Sequence, residues 1–211
     1  MKKTKYVIAA AHKKGGVGKS TTIMNLAVAL SKEFKTTIID LDSQKQTTKF
    51  NNKRENKFNV IDIPGEKELI SFLKKDDGIT LIDLGGYDSE LSRTVLLLSD
   101  LIIIPLSDSD NELDGLVEFK EILENILKLN DNIKCRVLIN RVHHADRSTL
   151  PGIKHFLQDH KNFDVFSTVI TENKLYKRML GTGKSITELT SGTPAIVFNQ
   201  LLNEIKTEIK E

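Results

Sequence analysis

The segment Lys14-Gly15-Gly16-Val17-Gly18-Lys19-Ser20-Thr21 has the residue types and spacing to hold a polyphosphate. Glycines let successive backbone N–H groups converge on phosphate oxygens, and a helix beginning at the segment's end would add its positive dipole. Lys19 supplies a point charge for the β and γ oxygens. Ser20 supplies a hydroxyl for Mg2+, a cation that prefers oxygen ligands. The chemistry that follows is nucleotide binding and phosphoryl transfer, which asks a protein chiefly for positioning and electrostatics.

Carboxylates suited to the same task end two apolar runs. Thr37-Ile38-Ile39-Asp40-Leu41-Asp42 closes with two aspartates two residues apart, hence on one face of a strand. Thr80-Leu81-Ile82-Asp83 repeats the pattern, and Asp83 is expected to hold Mg2+ through a water. The Leu84-Gly85-Gly86 that follows would lie close to the γ-phosphate and suits the sensing of its loss.

These groups need a frame that brings three chain segments to one edge. Strands are expected over residues 6–10, 36–40, 58–63, 79–83, 101–106, 134–139 and 165–170. Helical periodicity covers 20–31, 67–75, 89–99, 111–130, 151–158 and 195–209. Continuous apolar strands separated by helices imply a mostly parallel, twisted α/β sheet of about seven strands with helices on both faces. Asp40 and Asp83 would then sit at the carboxyl edge, where open α/β sheets bind ligands. Residues 43–59 fit neither pattern: the stretch is polar and carries Lys45, Lys49, Lys53, Arg54 and Lys57 against Glu55, so it reads as a solvated connection or a switch segment.

The chain has 211 residues, enough for one well-packed domain and short for two, and it shows no repeat or Pro/Gly-rich linker, so a single domain over 1–211 is expected. With one cysteine, Cys135, no internal disulfide or cysteine metal cluster can form, and a small buried core residue is the simpler role. No apolar run approaches the length that spans a bilayer. The net charge is only +2, so partners must be read from where charge sits.

The lysine-led loop beginning at Lys14 resembles the deviant Walker A loop of the ParA/MinD group of P-loop ATPases. The likeness runs along nearly the whole chain. Asp100-Leu101-Ile102-Ile103-Ile104-Pro105, Leu138-Ile139-Asn140-Arg141 and Thr168-Val169-Ile170-Thr171 resemble segments of short, ParF-type plasmid-partition proteins. The resemblance implies that Lys14, Gly15, Gly16, Val17, Gly18, Lys19, Ser20 and Thr21 bind ATP, with Asn140 and Arg141 near the base. It implies that Ser20, Asp40 and Asp83 serve Mg2+. It assigns catalysis to Lys14, Lys19 and Asp42, with Asp42 orienting the attacking water in a slow, Mg-dependent hydrolysis to ADP and phosphate. Lys14 would reach across a two-fold interface to the partner's nucleotide, as an arginine finger does, so that ATP drives formation of a homodimer. Ser43 stands where a proline is common in that group.

The same resemblance implies a cytoplasmic, nucleoid-associated protein that binds DNA non-specifically and segregates plasmid or chromosome cargo. The first strand begins within a few residues of Met1, leaving no room ahead of it for an operator-binding domain. A separate ParB- or ParG-like centromere-binding partner is therefore expected. Residues 100–131 hold nine acidic and two basic residues, and residues 140–184 hold eight basic and four acidic ones. Arg147, Lys174, Lys177, Arg178 and Lys184 in the second stretch are the candidates for DNA phosphates.

The main alternative is a MinD-like membrane-associated positioning ATPase, which would need a basic amphipathic last helix. Here that helix ends Glu204-Ile205-Lys206-Thr207-Glu208-Ile209-Lys210-Glu211 with balanced charge, and its stripe of Phe198, Leu201, Leu202, Ile205 and Ile209 suits core packing, so stable membrane association is not expected. A dethiobiotin-synthetase-like ligase shares the fold, but Lys14 argues against it. The single cysteine argues against an iron-protein reductase, and the tail lacks the tyrosines of a bacterial tyrosine kinase.

Overall fold

Strands that are apolar on both faces must be covered on both, and alternate residues of this chain's first strand feed two separate cores. In the computed structural model, which describes residues 4–85, 89–107, 109–143, 151, 157 and 163–210 (backbone only over 110–113), β1 (Tyr6–Ala10) sends Val7 and Ala9 into one core and Ile8 and Ala10 into the other. The other strands are β2 (Thr36–Asp40), β3 (Asn59–Ile61), β4 (Ile79–Asp83), β5 (Leu101–Leu106), β6 (Lys134–Ile139) and β7 (Asp164–Val165). They form one seven-stranded, all-parallel sheet in the order β3-β2-β4-β1-β5-β6-β7. Strands β2 to β4 lie on one side of β1 and β5 to β7 on the other. The crevice outside the carboxyl end of β1 is thus the topological switch point, where such sheets bind ligands.

Seven helices are present among the described residues. They are α1 (Lys19–Leu30), α2 (Gln46–Asn52), α3 (Glu66–Lys75), α4 (Glu90–Leu97), α5 (Asp110–Leu127), α6 (Lys174–Gly181) and α7 (Thr193–Lys210), with a short 3-10 turn at Ile186–Glu188. Leu69, Leu73, Val95, Leu96, Phe119 and Leu123 bring α3, α4 and α5 onto one face of the sheet. Ile23, Leu26, Leu30, Phe198, Leu201 and Ile205 bring α1 and α7 onto the other. Cys135 is buried in the first core, and burial pushes its thiol up to about 12, which leaves it an unreactive packing group.

The last helix is committed to the core, as its spacing predicts. Phe198, Leu201, Leu202, Ile205 and Ile209 are all buried. Glu208 accepts from Lys134 Nζ and Arg136 Nη1, each at 2.7 Å. The stripe a membrane-surface helix would need is therefore spent on packing. No helix among the described residues is long and apolar enough to cross a membrane.

Two segments differ from the sequence-based expectation. Residues 165–170 do not continue as a regular strand, because β7 pairs with β6 only through Asp164 and Val165. Glu204 explains the departure: its carboxylate takes Ser167 N at 2.8 Å and Thr168 N at 2.9 Å, leaving those donors unavailable to a strand ladder. The chain still returns to the sheet, through Ile170 N to Ile139 O at 2.9 Å and a bridge between Val142 and Thr171. Residues 43–59, which composition left open, fold as α2 and dock on α1 and α6 through Met24, Val28, Phe50 and Leu180, with Phe58 packed alongside. Most of the helix expected over 151–158 lies outside the described residues.

Candidate nucleotide and metal site

The loop after β1 turns tightly enough to need glycine at two points: Gly16 has φ 80° and Gly18 φ 109°, both in the left-handed region. At Gly18 space is also closed, since a Cβ there would lie 2.2 Å from Asn140 Nδ2. Gly18 caps α1 without a side chain, and its carbonyl accepts both Thr22 N and Thr22 Oγ1 at 2.9 Å. No acidic residue occupies the first turn of α1, so its dipole end stays available to an anion. Lys19 is buried, and its ammonium is held by Lys14 O at 2.8 Å and His12 O at 3.3 Å. The result is a glycine-turned cradle at a helix N-terminus with a cation already anchored in it.

A cavity of about 690 Å3 opens from this cradle, within the range of about 300–1,000 Å3 usual for small-molecule sites. Gly15, Gly16, Gly18, Lys19, Ser20 and Thr21 form its floor, Asp42, Lys49, Phe50 and Lys53 one wall, and Asn140, Arg141, Glu172 and Tyr176 the other. Asn140 and Arg141, expected beside the base, line this cavity but also grip the loop from outside. Asn140 Nδ2 donates to Val17 O at 2.8 Å and Arg141 Nη1 to Gly16 O at 2.6 Å, with Arg141 itself at φ 60°. The end of β6 therefore clamps the phosphate loop.

The three aspartates meet as the register requires. Asp40 and Asp83 are Cα partners at the ends of adjacent β2 and β4, both buried, and Asp42 lies two residues further on at the cavity wall. Asp40 is fully engaged: Oδ2 accepts Thr48 N at 2.8 Å and Thr48 Oγ1 at 2.7 Å, and Oδ1 accepts Asp42 N at 3.3 Å. Asp42 Oδ1 accepts Gln44 N at 2.8 Å, which ties the carboxylate to the turn where Ser43 stands. Asp83 differs from both. Thr47 Oγ1 donates to its Oδ2 at 2.6 Å, but its Oδ1 is buried and has no hydrogen-bond partner. Gly86 of the following loop lies outside the described residues.

An orphaned carboxylate oxygen beside a serine hydroxyl fits a hard cation. Burial is the main cause that pushes Asp83 up to about 6, opposed by the Thr47 and Ser20 hydroxyls beside it and reinforced by the nearby Asp40 and Asp42 charges. A positive ion there would relieve desolvation and repulsion together. Among the described residues no group of three or more His, Cys, Asp or Glu side chains could form a cage by itself. Mg2+ is typically held by one or two protein oxygens, substrate phosphates and water. Ser20 would hold it through its hydroxyl and Asp83 through a water, and Asp40 stands behind them.

A stability prediction follows from Asp83. The folded, metal-free protein keeps a proton on this group up to about pH 6, whereas the unfolded chain releases it near 3.8. Stability from this group is therefore fully present below pH 3.8 and is lost as pH rises through 6; at pH 7 the penalty is about 3 kcal/mol. In metal-free buffer at pH 7, Asp83→Asn is expected to unfold at a higher denaturant concentration than the parent, and the gap should shrink toward pH 4. Equal midpoints at pH 7 would show that the carboxylate carries no such penalty.

Lys14 does not join Lys19 in the cradle. Its side chain is exposed and lies against α5, where a Cβ on Gly115 would come within 2.8 Å of Lys14 Cγ. Neighbouring Lys13 pairs with Glu118, whose carboxyl is held below its usual range mainly by that bond and to a lesser extent by the Lys14 charge.

Residues 8–186 match the CobQ/CobB/MinD/ParA nucleotide binding domain. The chain belongs to that family. It is 22% identical over 209 residues to the maintenance of carboxysome distribution protein A of Halothiobacillus neapolitanus, covering 95% of this chain and 96% of the relative. It is 24% identical over 241 aligned positions to the chromosome-partitioning ATPase Soj of Thermus thermophilus, covering 97% and 96%. In fold it is similar to the ATP complex of a Cyanothece McdA variant, with TM-score 0.79, 17% identity and 99% and 98% of the two chains covered.

For this ParA/MinD-family chain the surface cations expected to meet DNA are only partly placed. Lys174, Lys177 and Arg178 are exposed on α6, and Lys184 is exposed just beyond it. Arg147 lies outside the described residues. The structure brings Lys49 and Lys53 of α2 to the same neighbourhood: Lys53 Nζ reaches Gly181 O at the end of α6 at 3.0 Å, and Lys49, Lys53 and Lys177 all line the cavity. Sequence reasoning counted these α2 lysines but assigned them no role, because their neighbours on α6 are far away in the chain.

Proposed function

We propose that this protein is an ATP-hydrolysing positioning motor: ATP closes a homodimer, the dimer binds DNA non-specifically, and a centromere-binding partner of the ParB or ParG kind stimulates hydrolysis and release. The observation that carries the reading is Lys14. It belongs to the phosphate loop by sequence, yet its side chain rests on α5 while Lys19 alone occupies the cradle. A lysine so placed suits a role at a second copy's phosphates. When bound, Mg2+ supplies Lewis-acid stabilisation of the phosphate oxygens. Ser20 and Asp83 hold its position, Lys19 neutralises the β and γ oxygens, and Asp42 orients water at the cavity wall. The exposed cations on α6, with Lys49 and Lys53, supply the polyanion surface.

The membrane-positioning reading is weaker, because the apolar stripe of α7 is buried. The test is binding to random-sequence DNA with ATP, with ADP and without nucleotide, over a salt series. ATP-selective binding is expected, with log Kobs falling linearly against log salt; Lys177→Ala should reduce that slope by about 1. Binding that is absent with ATP, or equal in all three states, would overturn the DNA half of the proposal.

A further inference from the structure

The polar stretch that joins β2 to β3 ends up inside the candidate metal site. Thr47 and Asp83 are both 0% exposed, and the Thr47 hydroxyl lies 2.6 Å from Asp83 Oδ2. A carboxylate with one orphaned oxygen can swing about its side-chain bonds unless the other oxygen is held. A β-branched threonine on a helix is a stiff donor for that purpose. The next residue, Thr48, holds Asp40 through both its backbone N–H and its hydroxyl. Consecutive threonines at the start of α2 thus grip the two carboxylates that end β2 and β4.

The support under this grip is rigid at both ends. Lys45, at φ 48°, turns the chain into α2 and donates from Nζ to Asp40 O at 2.6 Å. At the far end Arg54 lies over the rings of Phe50 and Phe58, 5.4 and 5.0 Å from their centroids. Its guanidinium donates to Glu188 at 3.0 and 3.1 Å and to Gly183 O at 2.8 Å. We propose that Thr47 is a positioning residue of the phosphate site: its hydroxyl fixes the Asp83 carboxylate so that the remaining oxygen is presented to the divalent cation of the bound nucleotide. This rests on the metal–nucleotide reading given above and names the element of α2 that serves it.

Thr47→Val keeps the shape and removes the donor; Thr47→Ser keeps the donor. The measurement is Mn2+ binding to the whole protein with saturating ADP, followed by the loss of the free-ion electron paramagnetic resonance signal. Outer-shell groups of a metal site typically contribute about 10–100-fold in affinity. Thr47→Val is therefore expected to weaken Mn2+ by about that factor, Thr47→Ser to stay within about three-fold of the parent, and ADP affinity without metal to stay unchanged. A purely structural threonine would lower the melting temperature of Thr47→Val and leave Mn2+ affinity as in the parent, which would overturn the proposal. If the valine variant does not fold, Thr47→Ala is read against Thr47→Ser in the same way. Failure of the parent itself to bind Mn2+ with ADP would overturn the metal–nucleotide reading and this inference with it; a parent that binds beside an unaffected Thr47→Val would overturn this inference alone.

Discussion

Asp42→Ala is expected to slow ATP turnover by about 10²-fold or more while leaving ATP binding in place. Asp42 lies beyond the end of β2 at the wall of the cavity that opens from the phosphate loop. Its backbone is fixed by the turn that Lys45 N closes on Asp42 O at 2.9 Å, and its Oδ1 by Gln44 N at 2.8 Å. A carboxylate held in this way can orient a water without making a direct contribution to nucleotide affinity. Its removal therefore acts on the step that follows binding. With hydrolysis blocked, the ATP-bound dimer should accumulate, visible as a doubled mass in light scattering that persists through a chase with ADP. Phosphate release at the parental rate would remove Asp42 from the proposed mechanism.

Lys14→Ala is expected to produce the opposite phenotype: ATP bound with near-parental affinity, and no ATP-dependent dimer. The cradle proposed to hold the phosphates is formed by residues 15–21, and the ammonium of its Lys19 is anchored on the Lys14 carbonyl, a group alanine retains. The Lys14 side chain lies along Gly115 instead. Cations supplied in trans to transferring phosphoryl groups are worth about 10³–10⁵ in turnover, so hydrolysis should fall by at least about 10³-fold in this variant. A variant that still dimerises with ATP would break the link between this lysine and the partner subunit. The pair Lys14→Ala and Asp42→Ala thus separates assembly from chemistry, since one prevents the dimer and the other traps it.

The parts of the site that were legible in the sequence are those set by short-range rules. Gly16 and Gly18 have positive φ angles, the freedom that makes glycine the residue for such a loop, and Asp40 and Asp83 end strands as the apolar runs before them lead one to expect. The parallel sheet was legible for the same reason, as strands apolar on both faces need helices on both. The second aspartate of the β2 motif and the Walker-type loop then had to meet, since both lie at carboxyl ends near the switch point.

Residues 43–59 show where local reading ends. Threonine and asparagine, which alternate with better helix formers here, have low helix propensity, so composition alone does not select α2. The helix exists because of distant partners: Thr47 bonds Asp83 across 36 residues, and Arg54 bonds Glu188 across 134. Asn140 is the same case, since its grip on Val17 spans 123 residues. Its sequence context marks a strand end and says nothing about the loop it clamps. Glu204 likewise redirects residues 167 and 168 from a helix far along the chain.

The phosphate loop itself divides along this line. Its glycines, Lys19 and Ser20 were determined by the sequence alone, because a phosphate cradle is a local backbone conformation that only certain residue types permit. Tertiary structure decided where the Lys14 side chain rests, which oxygen of Asp83 is left for a cation, and that a polar connection supplies Thr47 to hold it. Those are orientations of side chains, and they depend on neighbours that only the folded sheet brings within bonding distance.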